Sequence, residues 1–236
     1  IPWTTGYEDY KWERIKESIY DDRLLGLFRD CQPLPEKFGL GIDERIVEYP
    51  FLFAGLGNGP MKILDAGSTF NFLPIVSHPK VSEKELTIFT AYPEHSNYLM
   101  NKISYEFGDL RNLPFRDNWF DEVACISTLE HIGMDNAIYG YGEETIASAV
   151  KDDHSEYLPA VSELIRVLKR NGKLIITVPF GRKINYNYFQ QFDSGMISSM
   201  KLLMDNAGQT QVTFFKYKPG GWQFSTEEAC SDSEAF

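Results

Sequence analysis

No basic stripe runs through this sequence: 23 lysines and arginines stand against 34 acidic residues, giving a formal net charge of -11 and a pI of about 4.9. Binding to a phosphate backbone needs cations gathered on one face, so nucleic acid is not an expected partner. Long hydrophobic runs are also missing. The longest, such as residues 174–180, are strand-sized and far short of the roughly 20 apolar residues of a membrane helix. The N-terminal part shows no basic region followed by an apolar segment. A membrane is therefore not an expected partner either. Cysteine is scarce, and Cys31, Cys125 and Cys230 are odd in number and widely separated, which suits reduced thiols in a cytoplasmic protein better than a disulfide frame.

What is present is a core. With 43% hydrophobic and 14% aromatic residues in 236, the chain can bury a full domain with attachments. Its organising stretch is MKILDAGSTFN at residues 61–71, a short apolar run ending in Asp65 and a turn through Gly67. Where a parallel strand stops and a helix is about to start, backbone N–H groups and a carboxylate converge on the crevice outside the sheet. The same Asp-x-Gly pattern also serves as a plain structural turn.

Around it, residues 7–28 carry an amphipathic helical pattern that the two prolines of residues 31–35 end. A second helix spans residues 43–56, with Asp43 as N-cap and Pro50 predicting a kink or two shorter helices. Strands are predicted over residues 62–65, 85–92, 103–109, 120–127, 173–180 and 211–217. Helices are predicted for the apolar face of residues 158–168, stopped at Asn171-Gly172, and for residues 194–207. Residues 185–193 read as an aromatic, amide-rich loop, and residues 218–236 as no clear element. This alternation predicts an α/β fold with a doubly wound, mostly parallel sheet. The expected division is an N-terminal helical cap region, 1–56, and a single compact Rossmann-like catalytic domain, 57–236.

The blocks LDAG at residues 64–67, GDLRNLPFRDNWFDEV at 108–123, STLEHIG at 127–133 and ELIRVLKRNGKLIITVPFG at 163–181 together resemble the class I S-adenosylmethionine-dependent methyltransferases. The phrases ERIVEYP, FQQFD and GWQFSTEEAC are similar to uncharacterised bacterial members associated with glycan or small-molecule tailoring. The resemblance implies S-adenosylmethionine as cofactor. Asp65 and Gly67 would pack on its methionine portion, Glu94 would take the ribose hydroxyls, Asp109 the adenine amino group and the Leu110 N–H a ring nitrogen. Ser127 and Thr128 would line the methionine end. The family's further glycines are replaced by Thr69 and Asn71, so either the side chains of Ser68, Thr69 or Asn71 make the contacts themselves or binding is weakened. The family's seventh strand is either missing or follows residue 236 in a longer parent.

Methyl transfer from a sulfonium needs positioning more than chemical assistance, with the acceptor held about 3–3.5 Å from the methyl carbon. For a hydroxyl acceptor a base must take the proton, and His131, just past the fourth strand, is the candidate; the alternative is a loop brace. Asp135 and Asp193 are the accompanying catalytic candidates, and Tyr139, Tyr141 and Gln191 would bind a small polar or saccharide acceptor or serve only as packing. No tight ligand spacing supports a metal at His131, Asp135 and Asp193. A nicotinamide enzyme should show G-x-G-x-x-G, whereas Thr69 and Phe72 stand at the later glycine positions. The competing class is a catalytically silent binding or scaffold protein on the same fold.

Overall fold

A computed structural model describes residues 4–94, 96–98, 102–136 and 155–234. The chain divides into two compact units, one of residues 1–58 with 211–230, the other of residues 59–210 with 231–235. Residues 211–230, assigned from sequence to the catalytic domain, thus cluster with the N-terminal helices.

The larger unit is built on five parallel strands: β1 (Lys62–Ala66), β2 (Glu85–Thr90), β3 (Ile103–Phe107), β4 (Phe120–Ile126) and β5 (Leu168–Thr177), in the order β3-β2-β1-β4-β5. That is the Rossmann-like order, in which the chain reverses its direction of travel between β1 and β4 and leaves a crevice at the strands' carboxyl ends. Buried strands must be apolar on both faces. Leu64, Ala66, Phe89, Val123 and Cys125 meet Ala160, Val161 and Leu164 of one helix and Met196 and Met200 of another in the core. Ile63, Leu86, Ile88, Ala124 and Ile126, pointing the other way, are buried as completely.

Between β1 and β2 the chain makes two single-turn helices, α4 (Leu73–Val76) and α5 (Pro79–Ser82), with Pro74 and Pro79 confined to first turns. The helix before β5, α6 (Tyr157–Val167), stops earlier than the sequence predicts. Residues 168–172 already belong to β5, whose pairing with β4 jumps from Phe120↔Leu168 to Glu122↔Lys173. Asn171, at φ 64°, and Gly172 therefore make an irregularity in a strand rather than a helix stop. A Cβ on Gly172 would lie 2.8 Å from the Asp121 carbonyl oxygen, so glycine is required by close approach. Past β5 the expected loop contains a small hairpin, β6 (Ile184–Asn185) with β7 (Gln190–Gln191), and α7 (Ser194–Ala207) follows as predicted.

The smaller unit holds α1 (Tyr7–Tyr20), α2 (Asp22–Arg29) and α3 (Arg45–Gly55). The single predicted first helix is two, because the Asp21 carboxylate accepts the N–H groups of Arg23 and Leu24 and starts α2 afresh. Pro50 lies within one continuous α3. The predicted sixth strand does not join the parallel sheet. It is β8 (Phe214–Lys218), paired antiparallel with β9 (Gly221–Ser225), a strand the sequence does not announce, and α8 (Glu227–Cys230) follows. Phe28 draws the hairpin into this unit: its ring lies 5.7 Å from Phe215 and 5.8 Å from Phe224. The Trp222 indole N–H donates to the Ile42 carbonyl at 2.9 Å. Gly221, at φ 94°, passes so close to Phe38 that a Cβ would sit 2.3 Å from its carbonyl oxygen.

Candidate cofactor and acceptor site

The loop after β1 is held from within. Asp65 is fully buried, and its carboxylate accepts the backbone N–H groups of Thr69 at 3.1 Å and Phe70 at 2.7 Å. It shapes the loop from inside. Gly67 adopts φ 129° and donates its N–H to the Phe89 carbonyl, which ties the loop to β2. A Cβ there would lie 2.0 Å from Thr128 Oγ1, so the side chain of Thr128 fills the space a larger residue would need. The hydroxyls of Thr69 and Thr128 both donate to the Ile126 carbonyl, at 3.0 and 2.9 Å, joining the β1 loop to the tip of β4 across the switch point. Ser68 and Ser127 hold positive φ angles of 63° and 43°, left-handed conformations that cost a non-glycine residue about 1–3 kcal/mol and gather at ligand sites.

Carboxylates follow at the ends of β2 and β3. Glu94 is exposed and accepts hydrogen bonds from the Ser68 hydroxyl and from Asn71 Nδ2. Asp109 is engaged by a neighbour the sequence reading passed over: Arg111 Nε donates to both carboxylate oxygens at 3.0 Å, its terminal nitrogen to one at 2.6 Å, and it also pairs with Glu156. Partial burial raises the Asp109 carboxyl, but the hydrogen bonds from Arg111 outweigh it and hold the group below the usual range. Leu110 is buried beside it. Two residues of separation is the signal that would have found the clamp.

Beyond β4, His131 closes a single 3-10 turn (Leu129–His131). Its Nδ1 lies 2.8 Å from the Tyr188 carbonyl oxygen. A carbonyl only accepts, so Nδ1 carries the proton and Nε2 holds the lone pair of the neutral ring. Asp135 takes part in the same docking: its backbone N–H donates to the Asn187 carbonyl, and its carboxylate accepts from Asn187 Nδ2 at 3.3 Å. The β6–β7 hairpin, stiffened by stacked Tyr186 and Phe189 at 4.5 Å, therefore sits on the turn after β4. Burial pushes the Cys125 thiol well up, with the carboxylates of Glu130 and Asp65 adding to it, which removes it as a nucleophile.

Two predicted residues serve structure. Asp193 caps α7, its carboxylate accepting the Met196 N–H at 2.9 Å, and Gln191, fully buried, donates to the Ser233 carbonyl at 2.7 Å. Its neighbour Gln190 is the amide of interest: 3% exposed, with neither side-chain nitrogen nor oxygen hydrogen-bonded among the described residues. Adjacent strand residues face opposite ways, so the two glutamines cannot share a role. Tyr139 and Tyr141 lie outside the described residues. Among the described residues no group of three or more His, Cys, Asp or Glu is placed to hold a metal ion, and no helix is long and apolar enough to cross a membrane.

Residues 76–176 match a family described as a methyltransferase domain. That stretch, which lies within the larger unit, carries the likeness to a methyltransferase domain. S-adenosylmethionine is the cofactor that this class I family implies, and the exposed Glu94 carboxylate beside a loop shaped by Asp65 and Gly67 fits its ribose and methionine parts. Over 121 residues the chain is 28% identical to an uncharacterized protein of Methanocaldococcus jannaschii, a match covering 47% of this chain and 44% of that protein, so the chain spans under half the length of that curated relative. Among solved structures, a SAM-dependent methyltransferase of Methanosarcina mazei is similar at 14% identity and a TM-score of 0.47, covering 73% of this chain and 92% of that one. Another, from Thermotoga maritima, is similar at 16% identity and a TM-score of 0.42, covering 93% and 88%.

Proposed function

We propose that the methyltransferase domain binds S-adenosylmethionine in the crevice at the carboxyl ends of β1, β2 and β4 and passes its methyl group to a hydroxyl of a sugar or other small polar acceptor. The observation that carries the reading is the exposed Glu94 carboxylate, held beside the β1 loop by Ser68 and Asn71 and facing the end of the sheet where this fold takes its ligand. The cofactor, when bound, supplies an activated methyl carbon. The chain's own residues hold the two reactants and manage one proton.

In this reading Glu94 accepts the ribose hydroxyls, and Gly67, Ser68, Thr69 and Asn71 with Ser127 and Thr128 form the wall around the methionine end. Asp65 acts by shaping the loop. Asp109 and Leu110 stand at the adenine position, where Arg111 must share the carboxylate. His131 takes the acceptor proton on Nε2, with Nδ1 anchored to the Tyr188 carbonyl. Asp135 steadies the hairpin that brings Tyr188 there.

The Arg111 clamp gives a specific reason to keep the silent-scaffold reading beside this one, since a carboxylate fully engaged within the protein is what a disused adenine site would contain. The deciding experiment is transfer from methyl-tritiated S-adenosylmethionine to a panel of monosaccharides and small polyols, with products checked by mass spectrometry. Label in a product that is one methyl group heavier supports the enzyme. Tight cofactor binding with no transfer to any hydroxylated compound overturns the hydroxyl-acceptor reading.

A further inference from the structure

We infer that Tyr105 and Asn71 form a positioning relay that fixes the Glu94 carboxylate to receive the two ribose hydroxyls of an adenosyl ligand, an inference that rests on the cofactor reading above. The relay begins in the backbone. The Tyr98 N–H donates to the Tyr105 hydroxyl at 2.7 Å, and that hydroxyl donates its single proton to Asn71 Oδ1 at 3.0 Å. The Asn71 amide is thereby held one way round: Nδ2 donates to Glu94 Oε2 at 2.7 Å and to the Ser96 carbonyl at 2.8 Å. Both of those neighbours are acceptors only. Flipping the amide would set its oxygen against a carboxylate and a carbonyl at once, which the donor inventory forbids.

Asn71 is 4% exposed and its hydrogen bonds are partly buried, while Glu94 at the end of the relay is exposed. Ser68 holds the other carboxylate oxygen. Each oxygen thus has one protein donor and keeps a second lone pair, and a carboxylate offers about four such sites in all. The two that remain match a vicinal diol. Asn71 stands where the resembling family has a glycine, and the exchange replaces close backbone approach by a side chain that aims the acceptor of the ribose.

The test is calorimetric titration of wild type, Tyr105→Phe, Glu94→Gln and the double variant with S-adenosylhomocysteine and with its 2′-deoxy analogue. Losing one neutral hydrogen bond of the relay should weaken S-adenosylhomocysteine about three- to tenfold. The deoxy analogue should weaken less, and the double variant should bind no worse than Glu94→Gln alone, because Tyr105 acts only through Glu94. Equal weakening of both ligands by Tyr105→Phe, or additive losses in the double variant, would overturn the relay and leave a structural hydroxyl. If Glu94→Gln leaves the preference for the ribose form unchanged, the ribose reading itself fails and the relay with it. Unchanged circular dichroism of Tyr105→Phe separates either result from misfolding, and Asn71→Asp, which sets a second carboxylate against Glu94, should reproduce the selective loss.

Discussion

At the scale of single residues, two adjacent glutamines separate a structural amide from one without a partner among the described residues. Leaving a buried amide unpaired costs about 1–3 kcal/mol per polar group, and Gln190 leaves both of its groups unpaired. Gln190→Leu, of similar volume and without polar atoms, should therefore raise the melting temperature by about 3 °C or more in a thermal scan. A fall would mean that the amide is satisfied by ordered water. His131→Ala should lower the rate of methyl transfer to a hydroxyl acceptor about 10²–10⁴-fold while leaving S-adenosylhomocysteine affinity unchanged by calorimetry. An equal loss of affinity would make His131 a brace for the hairpin. Sequence alone placed Asp65, Glu94 and Asp109 at or just past strand ends, since each follows an apolar run. It could not tell an acid that meets a ligand from one that caps its own loop or helix, because Asp65 and Asp193 spend their oxygens on backbone N–H groups a few residues away. The burial of Gln191 was hidden for a related reason: in a strand a one-residue difference reverses the facing side chain, and a two-residue strand has no periodicity to reveal the register.

At the scale of elements, the link from β3 to β4 is held by α6. Glu163 accepts the Leu113 N–H and two nitrogens of Arg166, whose guanidinium also donates to the carbonyls of Leu113 and Phe115. This clamp is what the blocks at residues 108–123 and 163–181 share physically. The hydrogen bonds from Arg166 are the largest influence on the Glu163 carboxyl and, despite partial burial, hold it below the usual glutamate range. A depressed carboxyl stabilises the fold above its unfolded pKa and ceases to do so as the pH falls through its folded value. Glu163→Gln should thus lower the melting temperature at neutral pH, and the difference from wild type should shrink below about pH 4, as a pH series of thermal scans will show. A difference constant down to the lowest pH would contradict the clamp. β1 and β4 were legible because buried strands are nearly continuous apolar runs. The end of α6 was not, because Asn171-Gly172 is good chemistry for a helix stop and for a strand irregularity alike, and tertiary pairing with β4 selects the second.

At the scale of the whole molecule, the sheet and the acidic strand ends were legible, and the division of the chain was not. Residues 214–218 look like any β-strand; the Phe28, Phe215 and Phe224 contacts that take β8 into the smaller unit join positions nearly two hundred residues apart, a separation that local patterning does not reach. The larger unit carries a costly feature in its sheet: Lys84 and Glu122, both buried, lie 3.0 Å apart as an ion pair. Lys84→Ala, which removes the buried cation beside the carboxylate, should cost about 3–5 kcal/mol in chemical denaturation, whereas replacing both residues by apolar ones of similar volume should cost far less. Equal costs would mean that the lysine's packing matters and its charge does not. The central claim is that this domain binds an adenosyl cofactor through Glu94. Its most direct test is titration of the purified wild-type chain with S-adenosylmethionine and S-adenosylhomocysteine in a calorimeter, beside Glu94→Gln: saturable binding to one site, weakened by the substitution, is the predicted result, and a folded wild-type protein that binds neither compound contradicts it.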